Sequence, residues 1–446
     1  MLVEFSVGNY RSFHAPVSLS MLAATKLKHP NLDANNIFTA PDGLPMLKTA
    51  AIYGANASGK SNLIRALSFM RTFVLRSSKE SQAGEAIRVE PFRLSTATLH
   101  VPSYFQIVFE LDGARYRYGF ELDAEQVHTE WLYRSVKRES RLFVREGDEY
   151  DIASGFKEGR GLEQRTRPNA LFLSVVAQWN GPLAIALLSW FRNGLELILG
   201  LNDEYYSAFT LKRCQTDSNF RQRVIALVQE ADLGITHIDI EDRSLADMGI
   251  PEPLQGTLDK LLRDFNTLSD EPEALGDELR IPRAKTIHKI FDATQQVAGQ
   301  VSFDLQTEES QGTQKFFYLA GYILDVLDTG KTLVIDEMEA RLHPFLTRAI
   351  IALFNSPETN PKNAQLIFAT HDTGLLSNQL FRRDQIWFTE KDRYGATDLY
   401  SLAEFDQPVR NDASYDKDYL AGKYGAIPFI GGLSMLFEVL ADAQNA

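Results

Sequence analysis

The residues that could do chemistry begin with a glycine-rich segment, GANASGKS, at positions 54–61. It follows the apolar run 49–53 and precedes the segment 62–67, so the predicted order is strand, loop and helix. Glycines let backbone N–H groups turn inward around phosphate oxygens, and the N-terminus of the following helix adds a partial positive charge. Lys60 would reach the β- and γ-phosphates of a nucleotide, and the Ser61 hydroxyl would hold Mg²⁺. The residues predicted to bind the nucleotide here are Gly54, Asn56, Ser58, Gly59, Lys60, Ser61 and Asn62. The alternative is a glycine turn that carries Lys-Ser by chance.

A phosphate-binding loop needs an acidic partner, and the chain supplies one far downstream. Residues 331–335 form an apolar run that ends in two adjacent carboxylates, Asp336 and Glu337. At the end of a strand, Asp336 is predicted to join the Mg²⁺ coordination, and Glu337 to polarise the attacking water. The alternative is a buried strand that ends in solvated acids.

A second apolar run, residues 365–370, ends at His371. A histidine at the carboxyl end of a strand can contact the γ-phosphate and the attacking water. We therefore predict that His371 is catalytic together with Glu337 and Lys60. The alternative is an ordinary surface histidine.

Length and composition set the class of protein. The chain has 446 residues, of which 44% are hydrophobic and 24% are charged, as in ordinary globular proteins. Its single cysteine, Cys214, excludes an intramolecular disulfide and a cysteine-cluster metal site, and it favours a reducing compartment. The N-terminal residues lack the pattern of a signal peptide, and no apolar run reaches the roughly 18 residues of a membrane span. We expect a cytoplasmic protein that does not enter a membrane.

The net charge of −13 argues against a surface that binds DNA without sequence preference, but it leaves room for one local basic groove. The best candidate is the run 134–145, because acids resume only after it. Its basic residues are Arg134, Lys137, Arg138, Arg141 and Arg145, and they face only Glu139. The favoured alternative is the solvated face of a hairpin.

Hydrophobic periodicity predicts how the chain is organised. Residues 104–111 and 115–122 alternate around Asp112-Gly113, which predicts an antiparallel hairpin. Spacing near 3.6 predicts helices at 183–199, 219–231, 252–266 and 283–297, a short strand at 236–240, and a terminal helix. The predicted parts are an N-terminal part of the core with the phosphate-binding loop at 1–75, an inserted β-subdomain at 88–155, a helical lobe at 168–300, a C-terminal part of the core at 301–402 and an extension at 403–446.

The long insertions between Lys60 and Asp336 resemble those of the ABC-class ATPases and are too large for a compact GTPase. The segment 308–315, EESQGTQK, resembles the ABC signature, although it departs from the usual Leu-Ser-Gly-Gly-Gln. In that signature a serine and a glycine at a helix N-terminus close over the γ-phosphate held by the partner subunit. The resemblance implies that Ser310 and Gly312 take these roles in trans. The alternative for Ser310 is an ordinary helix cap.

Two further segments resemble those of RecF and SMC relatives. The segment 9–13, NYRSF, resembles their N-terminal strand motif, in which the basic residue, here Arg11, contacts nucleotide phosphates. The segment 339–344 falls where their D-loop lies, and 173–178 falls where their Q-loop lies. Gln178 would then coordinate Mg²⁺ and water, unless it is an ordinary surface glutamine.

Together these segments make the chain resemble the bacterial RecF- and SMC-like AAA-family ATPases that lack long coiled coils and occur in antiphage defence and abortive infection. They are cousins of the ATPase half of the overcoming-lysogenization-defect (OLD) nucleases, and the resemblance extends to residues 423–428. It implies an α/β fold, a P-loop NTPase of ABC type with an inserted antiparallel β-subdomain and a helical lobe. It also implies ATP and Mg²⁺ as cofactors. OLD proteins continue into a Toprim nuclease domain with clustered carboxylates, whereas here residues 389–392 are the only echo and fit a hairpin better. Nuclease chemistry should then come from a partner chain.

Two functions remain in competition. In the first, the chain is an ATP-hydrolysing ATPase that forms a head-to-tail homodimer, or a higher homo-oligomer, on ATP and switches an effector protein, a nuclease, in antiphage defence. In the second, it is a RecF-like DNA-binding ATPase of DNA repair or maintenance, which would need a basic groove and leaves DNA open as a partner. The large insertions argue against a transporter subunit, and the missing carboxylate cluster argues against a stand-alone nuclease.

Overall fold

Strands and helices interleave along the chain. The computed structural model describes residues 1–80, 82, 84–200, 204–231, 234–244, 247, 251–267, 280–405 and 413–428. The strands are β1 (Leu2–Gly8), β2 (Val17–Ser20), β3 (Ile37–Thr39), β4 (Pro45–Leu47), β5 (Thr49–Tyr53), β6 (Ser103–Leu111), β7 (Ala114–Leu122), β8 (Val127–Ser135), β9 (Glu139–Glu146), β10 (Glu149–Ile152), β11 (Leu195–Ile198), β12 (Ile235–Ser244), β13 (Arg280–Phe291), β14 (Val297–Asp304), β15 (Thr332–Ile335), β16 (Gln365–Ala369), β17 (Ile386–Lys391) and β18 (Thr397–Ser401). The α-helices are α1 (Asp33–Asn36), α2 (Lys60–Arg76), α3 (Phe172–Gln178), α4 (Pro182–Ser189), α5 (Glu204–Thr216), α6 (Ser218–Glu230), α7 (Glu252–Thr267), α8 (Gln311–Thr329), α9 (Pro344–Asn355) and α10 (Tyr415–Leu420). The chain divides into a first unit, Met1–Gly200 with Val326–Ala340 and Thr347–Ala446, and a second unit, Leu201–Asp325 with Arg341–Leu346.

The first unit contains a six-stranded sheet with the order β11-β15-β16-β5-β17-β18. The first five strands in this order, β11, β15, β16, β5 and β17, run parallel to one another, and β18 returns antiparallel to β17. Every residue of β5, β15 and β16 is buried, as expected of parallel strands that are covered on both faces. The carboxyl ends of parallel strands meet at one edge of a sheet, so the segments that follow β5, β15 and β16 begin side by side. The predicted α/β class, with a glycine-rich loop between β5 and α2, is confirmed.

A seven-stranded antiparallel sheet, with the order β10-β9-β8-β7-β6-β1-β2, forms the second layer of this unit. The predicted hairpin is confirmed as β6 and β7, and both turn residues, Asp112 and Gly113, have positive φ angles of 52° and 74°. The sequence did not predict that β1 would pair with β6 and thereby extend this sheet. The N-terminal strand is therefore held in the same layer as residues that follow it by about a hundred positions.

Gln365 fastens this N-terminal strand to the six-stranded sheet. It is fully buried at the start of β16. Its Oε1 accepts the backbone N–H of Leu2 at 2.7 Å, and its Nε2 donates to the carbonyl oxygen of Leu2 at 3.0 Å. A buried backbone needs such partners, and here one side chain satisfies both groups of Leu2.

A buried carboxylate joins the antiparallel sheet to α3. Glu130 of β8 is fully buried and accepts the backbone N–H groups of Phe172 at 2.6 Å and Leu173 at 3.0 Å. The Tyr118 hydroxyl donates to the same carboxylate at 2.9 Å, and the Arg145 guanidinium lies 3.8 Å away. An anion at the N-terminus of a helix is favourable, so Glu130 acts as a cap supplied by another element.

The basic run 134–145 does not form a groove. Most of it belongs to the hairpin of β8 and β9. Arg145 is buried and donates to the carbonyl oxygen of Ala170 at 2.7 Å, so its guanidinium does not face solvent. Arg141 pairs with Asp151 at 2.6 Å. The structure supports the hairpin alternative for this run.

The second unit has a sheet of its own. Helices α5 and α6 lie against a three-stranded antiparallel sheet with the order β12-β13-β14. The predicted helices at 219–231 and 252–266 are confirmed as α6 and α7, and the predicted strand at 236–240 lies within β12.

The helix predicted at 283–297 is wrong. These residues form most of β13, a turn and the start of β14. Apolar residues here fit a period of two as well as 3.6, and the buried Ala284 and Thr286 alternate with more exposed neighbours. The β-branched Thr286 and Ile287 favour a strand once a sheet is available.

The helix predicted at 183–199 is right only in its first half. Helix α4 ends at Ser189, a π-helical turn follows at Trp190–Gly194, and the remaining residues form β11 beside β15. A Cβ atom on Gly194 would lie 2.9 Å from the ring of Trp190, so the end of this turn favours glycine. The predicted terminal helix falls on residues 429–446, outside the described residues.

No single described helix is both long and apolar enough to cross a membrane. The pair Phe172–Gln178 and Pro182–Gly194 reaches that length and apolarity only together, with a bend of 111° between its members.

Candidate nucleotide-binding site

Side chains of β17 and β18 contact the loop at 54–59. Gly59 has a φ of 120°, and a Cβ atom there would lie 2.5 Å from Thr397 Oγ1, so only glycine fits. The Thr397 hydroxyl donates to the carbonyl oxygen of Ser58 at 2.7 Å, and the Ser58 hydroxyl lies 2.6 Å from Thr389 Oγ1. Side chains of β17 and β18 therefore hold the loop in place. The backbone N–H groups of such a loop, together with the N-terminus of α2, are suited to bind an anion.

Lys60, the first residue of α2, lies at the centre of this loop. It is 5% exposed, and its ammonium donates to the carbonyl oxygens of Gly54 at 2.8 Å and Ala55 at 3.1 Å. Its Nζ lies 3.5 Å from His371 Nδ1. Burial lowers the pKa of Lys60 to about 8, against the opposing effect of nearby carboxylates. The ammonium is thus partly desolvated where phosphate oxygens would bind.

Asp336 is the first residue after β15. Its backbone N–H donates to the carbonyl oxygen of Ile198 at 2.9 Å, which extends the pairing of β15 with β11. Its side chain is buried, and Oδ1 has no hydrogen-bond partner. A buried carboxylate oxygen without a partner is costly, and a hard cation with oxygen ligands satisfies it. Asp336 and the hydroxyl of Ser61, in the first turn of α2, are therefore suited to Mg²⁺.

Glu337 adopts an unusual backbone conformation. Its φ of 53° lies in the left-handed region, which costs a residue other than glycine about 1–3 kcal/mol. The next residue, Met338, donates its N–H to the carbonyl oxygen of Ala369 at 3.2 Å, so the chain crosses the end of β16. Such strain is typical of functional sites, where it sets the direction of a side chain.

His371 lies two residues beyond β16. Its backbone N–H donates to Glu339 Oε1 at 2.6 Å. Partial burial and the positive charge of Lys60 lower the pKa of His371, while Glu339 and the other carboxylates act in the opposite direction. The imidazole is therefore neutral at physiological pH. The ammonium of Lys60 can only donate, so Nδ1 of His371 is the acceptor of this pair and the ring proton lies on Nε2.

Arg11 lies beside a pocket of about 290 Å³ next to the start of α2. Its φ is 51°, its backbone N–H donates to the carbonyl oxygen of Glu90 at 2.8 Å, and its guanidinium pairs with the Glu90 carboxylate at 2.6 Å. Asn62 Nδ2 donates to the hydroxyl of Ser12 at 2.9 Å on the same wall. The pocket is also lined by Pro91, Arg93, Leu94, Lys391 and Gly395. Cationic side chains thus surround the space beside α2, and Glu90 is the carboxylate among them.

Gln178 and Asn56, both predicted to bind, are exposed. Gln178 ends α3, and within the part of the chain that the structure describes it makes no hydrogen bond to Lys60 or Asp336. Asn56 lies on the outer turn of the loop. The structure brings Lys60, Asp336 and His371 together, and the role of Gln178 stays a prediction.

The signature-like segment lies in the second unit. The Ser310 hydroxyl accepts the backbone N–H of Thr313 at 3.1 Å, which makes Ser310 the N-cap of α8. A Cβ atom on Gly312 would lie 2.7 Å from the carbonyl oxygen of Arg341, so this position also requires glycine. The alternative of an ordinary helix cap is thus observed for Ser310, whose hydroxyl also lies 2.9 Å from Thr313 Oγ1.

A protein-family model matches most of this chain. The family model described as "AAA domain, putative AbiEii toxin, Type IV TA system" matches residues 50–377, well over half of the chain. The chain belongs to this AAA family. The matched residues of the AAA domain include Lys60, Asp336, Glu337 and His371.

Two solved structures of SMC heads are similar to this chain. The "Crystal structure of the SmcHead bound to the C-winged helix domain of ScpA" is similar at 13% identity and a TM-score of 0.45, over 90% of this chain and 98% of that chain. The "SMC head domain from Thermotoga maritima" is similar at 12% identity and a TM-score of 0.39, over 90% of this chain and 98% of that chain. No curated protein matches this chain.

Sequence reasoning missed four residues around the AAA domain's loop. Thr389 and Thr397 support the loop from strands that follow it by more than 300 positions, and no local pattern identifies them. Glu90 pairs with Arg11 from a segment without regular structure. Glu339 carried a signal, because it is a third carboxylate only two positions after Glu337.

Proposed function

We propose that this AAA protein binds ATP with Mg²⁺ at residues 54–61 and hydrolyses it to ADP and phosphate. The observation that carries the proposal is the meeting of a buried lysine, Lys60, with a histidine, His371, beside a buried carboxylate oxygen of Asp336 that has no partner. Gly59 supports it, because a side chain at this position would collide with Thr397 and displace the loop. Family membership supports it independently.

Each residue has a role in this mechanism. The N–H groups of the loop and the Lys60 ammonium would bind the phosphates and stabilise charge that develops during transfer. Ser61 and Asp336 would hold the metal ion, which when bound neutralises phosphate charge and orients the phosphate chain. Glu337 would orient the attacking water and take up its proton. Because its Nδ1 accepts from Lys60, His371 would donate its Nε2–H to the γ-phosphate.

We further propose that ATP closes two copies of the chain head to tail. Ser310 and Gly312 lie at the N-terminus of a helix of nineteen residues, α8, and the N-terminus of a helix favours an anion. Closure over the partner's γ-phosphate would convert binding energy into a change of subunit arrangement. The family description names a putative AbiEii toxin and a type IV TA system, which supports a role in antiphage defence. We propose that the effector switched by closure is a nuclease supplied by another chain.

The test compares wild type with Glu337→Gln for ATP turnover and for mass in solution with and without ATP. We expect the variant to lose about 10²-fold or more in turnover, because an amide cannot accept the proton of water, and to accumulate an ATP-dependent dimer. The matched control is Glu358→Gln, an exposed glutamate of the same unit, which should behave as wild type.

Two outcomes would contradict the proposal. Equal turnover in wild type and Glu337→Gln would exclude Glu337 as the residue that activates water. A constant mass with and without ATP in both proteins would exclude closure and the trans role of Ser310.

A further inference from the structure

Glu339 links two segments of the site. Its Oε1 accepts the backbone N–H of His371 at 2.6 Å. The chain reaches this position because Met338 bonds to Ala369, the last residue of β16, and thereby carries Glu339 across the strand end. The segment after Asp336 and the segment that bears His371 are thus joined by one carboxylate.

The second oxygen of this carboxylate points into the interior. Glu339 Oε2 is buried without a hydrogen-bond partner, and so is the Tyr53 hydroxyl at the end of β5. Burial raises the pKa of Tyr53 well above its usual value, and the charges of Asp372 and Glu339 raise it further, which places both carboxylates near the phenol. A surface glutamate would not be held in this way, so the position of Glu339 is structurally specified.

We propose that Glu339 is a positioning residue for ATP hydrolysis, which holds the backbone of His371 so that its imidazole stays beside Lys60. This inference rests on the proposed function. The groups that face His371 are Lys60 and the carboxylates of Asp336, Glu337 and Glu339. Among these carboxylates, Glu339 bonds directly to the backbone of His371.

A charged carboxylate serves this role better than a neutral group. Its hydrogen bond to the N–H of His371 is charge-assisted and therefore short. Its negative charge also opposes the effect of Lys60, so the imidazole stays able to exchange protons nearer neutral pH. Loss of Glu339 should disturb both the geometry and the protonation of His371.

The experiment uses Glu339→Ala and Glu339→Gln in the full chain, with Glu358→Ala as the control. Glu339→Ala should lower kcat for ATP about 10²-fold with KM nearly unchanged, because a catalytic group displaced by about 1 Å loses that much. Glu339→Gln should keep most of kcat, because its amide oxygen still accepts the N–H of His371. The pKa of His371, followed by NMR of histidine-labelled protein, should fall in both variants, because both remove the charge. His371→Gln identifies the resonance among those of the eight histidines.

Three results would overturn the inference. These are a wild-type kcat in Glu339→Ala, an equal loss in Glu339→Ala and Glu339→Gln, or a His371 resonance that titrates identically in all proteins. If Glu339→Ala does not fold, Glu339→Gln and its NMR titration decide. If wild type does not hydrolyse ATP, the proposed function fails, and the NMR titration alone decides whether Glu339 controls His371.

Discussion

The carboxylate of Glu130 accepts the backbone N–H of Phe172 at 2.6 Å and so caps α3 from a strand of the antiparallel sheet. Because the segment 173–178, where the Q-loop was predicted, lies within α3, a residue of the β-subdomain fixes the position of that segment. Buried hydrogen-bonded charges of this kind make the position of one element depend on another.

Replacing Glu130 should destabilise the first unit. Glu130→Ala removes the partner of two buried N–H groups and leaves the buried Arg145 without its nearby anion, so the free energy of unfolding should fall by about 3–5 kcal/mol. Tryptophan fluorescence in urea measures this unit, because all four tryptophans of the chain, at positions 131, 179, 190 and 387, lie in it. Glu125→Ala, an exposed residue of the turn before β8, is the control. A loss below about 1 kcal/mol would show that the cap contributes no more than an ordinary hydrogen bond.

The affinity for ATP should depend on pH through Lys60. Its pKa is lowered to about 8, so Lys60 of the free protein loses its positive charge as the pH rises through this value. Bound phosphates would keep Lys60 protonated over the same range. We expect the Kd for ATP to be independent of Lys60 titration below about pH 7 and to rise by up to about tenfold per pH unit above about pH 8. Lys60→Arg stays charged throughout and should bind with a flat profile over the same range. A flat profile in wild type would contradict the lowered pKa.

Subunit mixing should reveal a composite site. Lys60→Ala and Ser310→Glu should each be inactive alone, the first for lack of phosphate binding and the second because a carboxylate would face the γ-phosphate. A 1:1 mixture should recover up to about a quarter of wild-type turnover, because half of the dimers are mixed and each of these has one intact site. Activity of Ser310→Glu alone at the wild-type level, or no recovery on mixing, would place all catalytic residues of a site in one chain.

The single thiol should be unreactive in the native protein. Cys214 is 1% exposed, and burial raises its pKa to about 12, so almost no thiolate is present at pH 8. A thiol reagent should modify less than about a tenth of the native protein in an hour at pH 8 and all of the protein in denaturant. Rapid reaction of the native protein would show that α5 opens readily in the second unit.

Local patterns were sufficient to predict the strand, loop and helix around Lys60. The apolar run of β5 is uninterrupted, and the glycines that follow have one common use. Asp336 and His371 were predicted for the same reason, since each closely follows a fully buried parallel strand. A buried parallel strand is the pattern that sequence reveals most clearly, because both of its faces must be apolar.

Contacts between distant segments were not visible in the sequence. Thr397 supports the loop because β18 folds back beside it, and Gln365 binds Leu2 across two sheets. Neither contact depends on residues that are adjacent in the sequence. The error at 283–297 has another cause, since apolar residues there satisfied both periods and only the pairing of β13 with β12 selected the strand.

The position of β5 between β16 and β17 has a consequence for synthesis of the protein. The ribosome makes β5 early, but its two neighbours appear only when Lys391, the last residue of β17, has left the exit tunnel. At the usual speed of translation the strand waits on the order of tens of seconds for the strands that cover it. Its apolar residues therefore need protection in the cell during that interval, and a nascent chain truncated before β16 would be a substrate for chaperones rather than a binder of ATP.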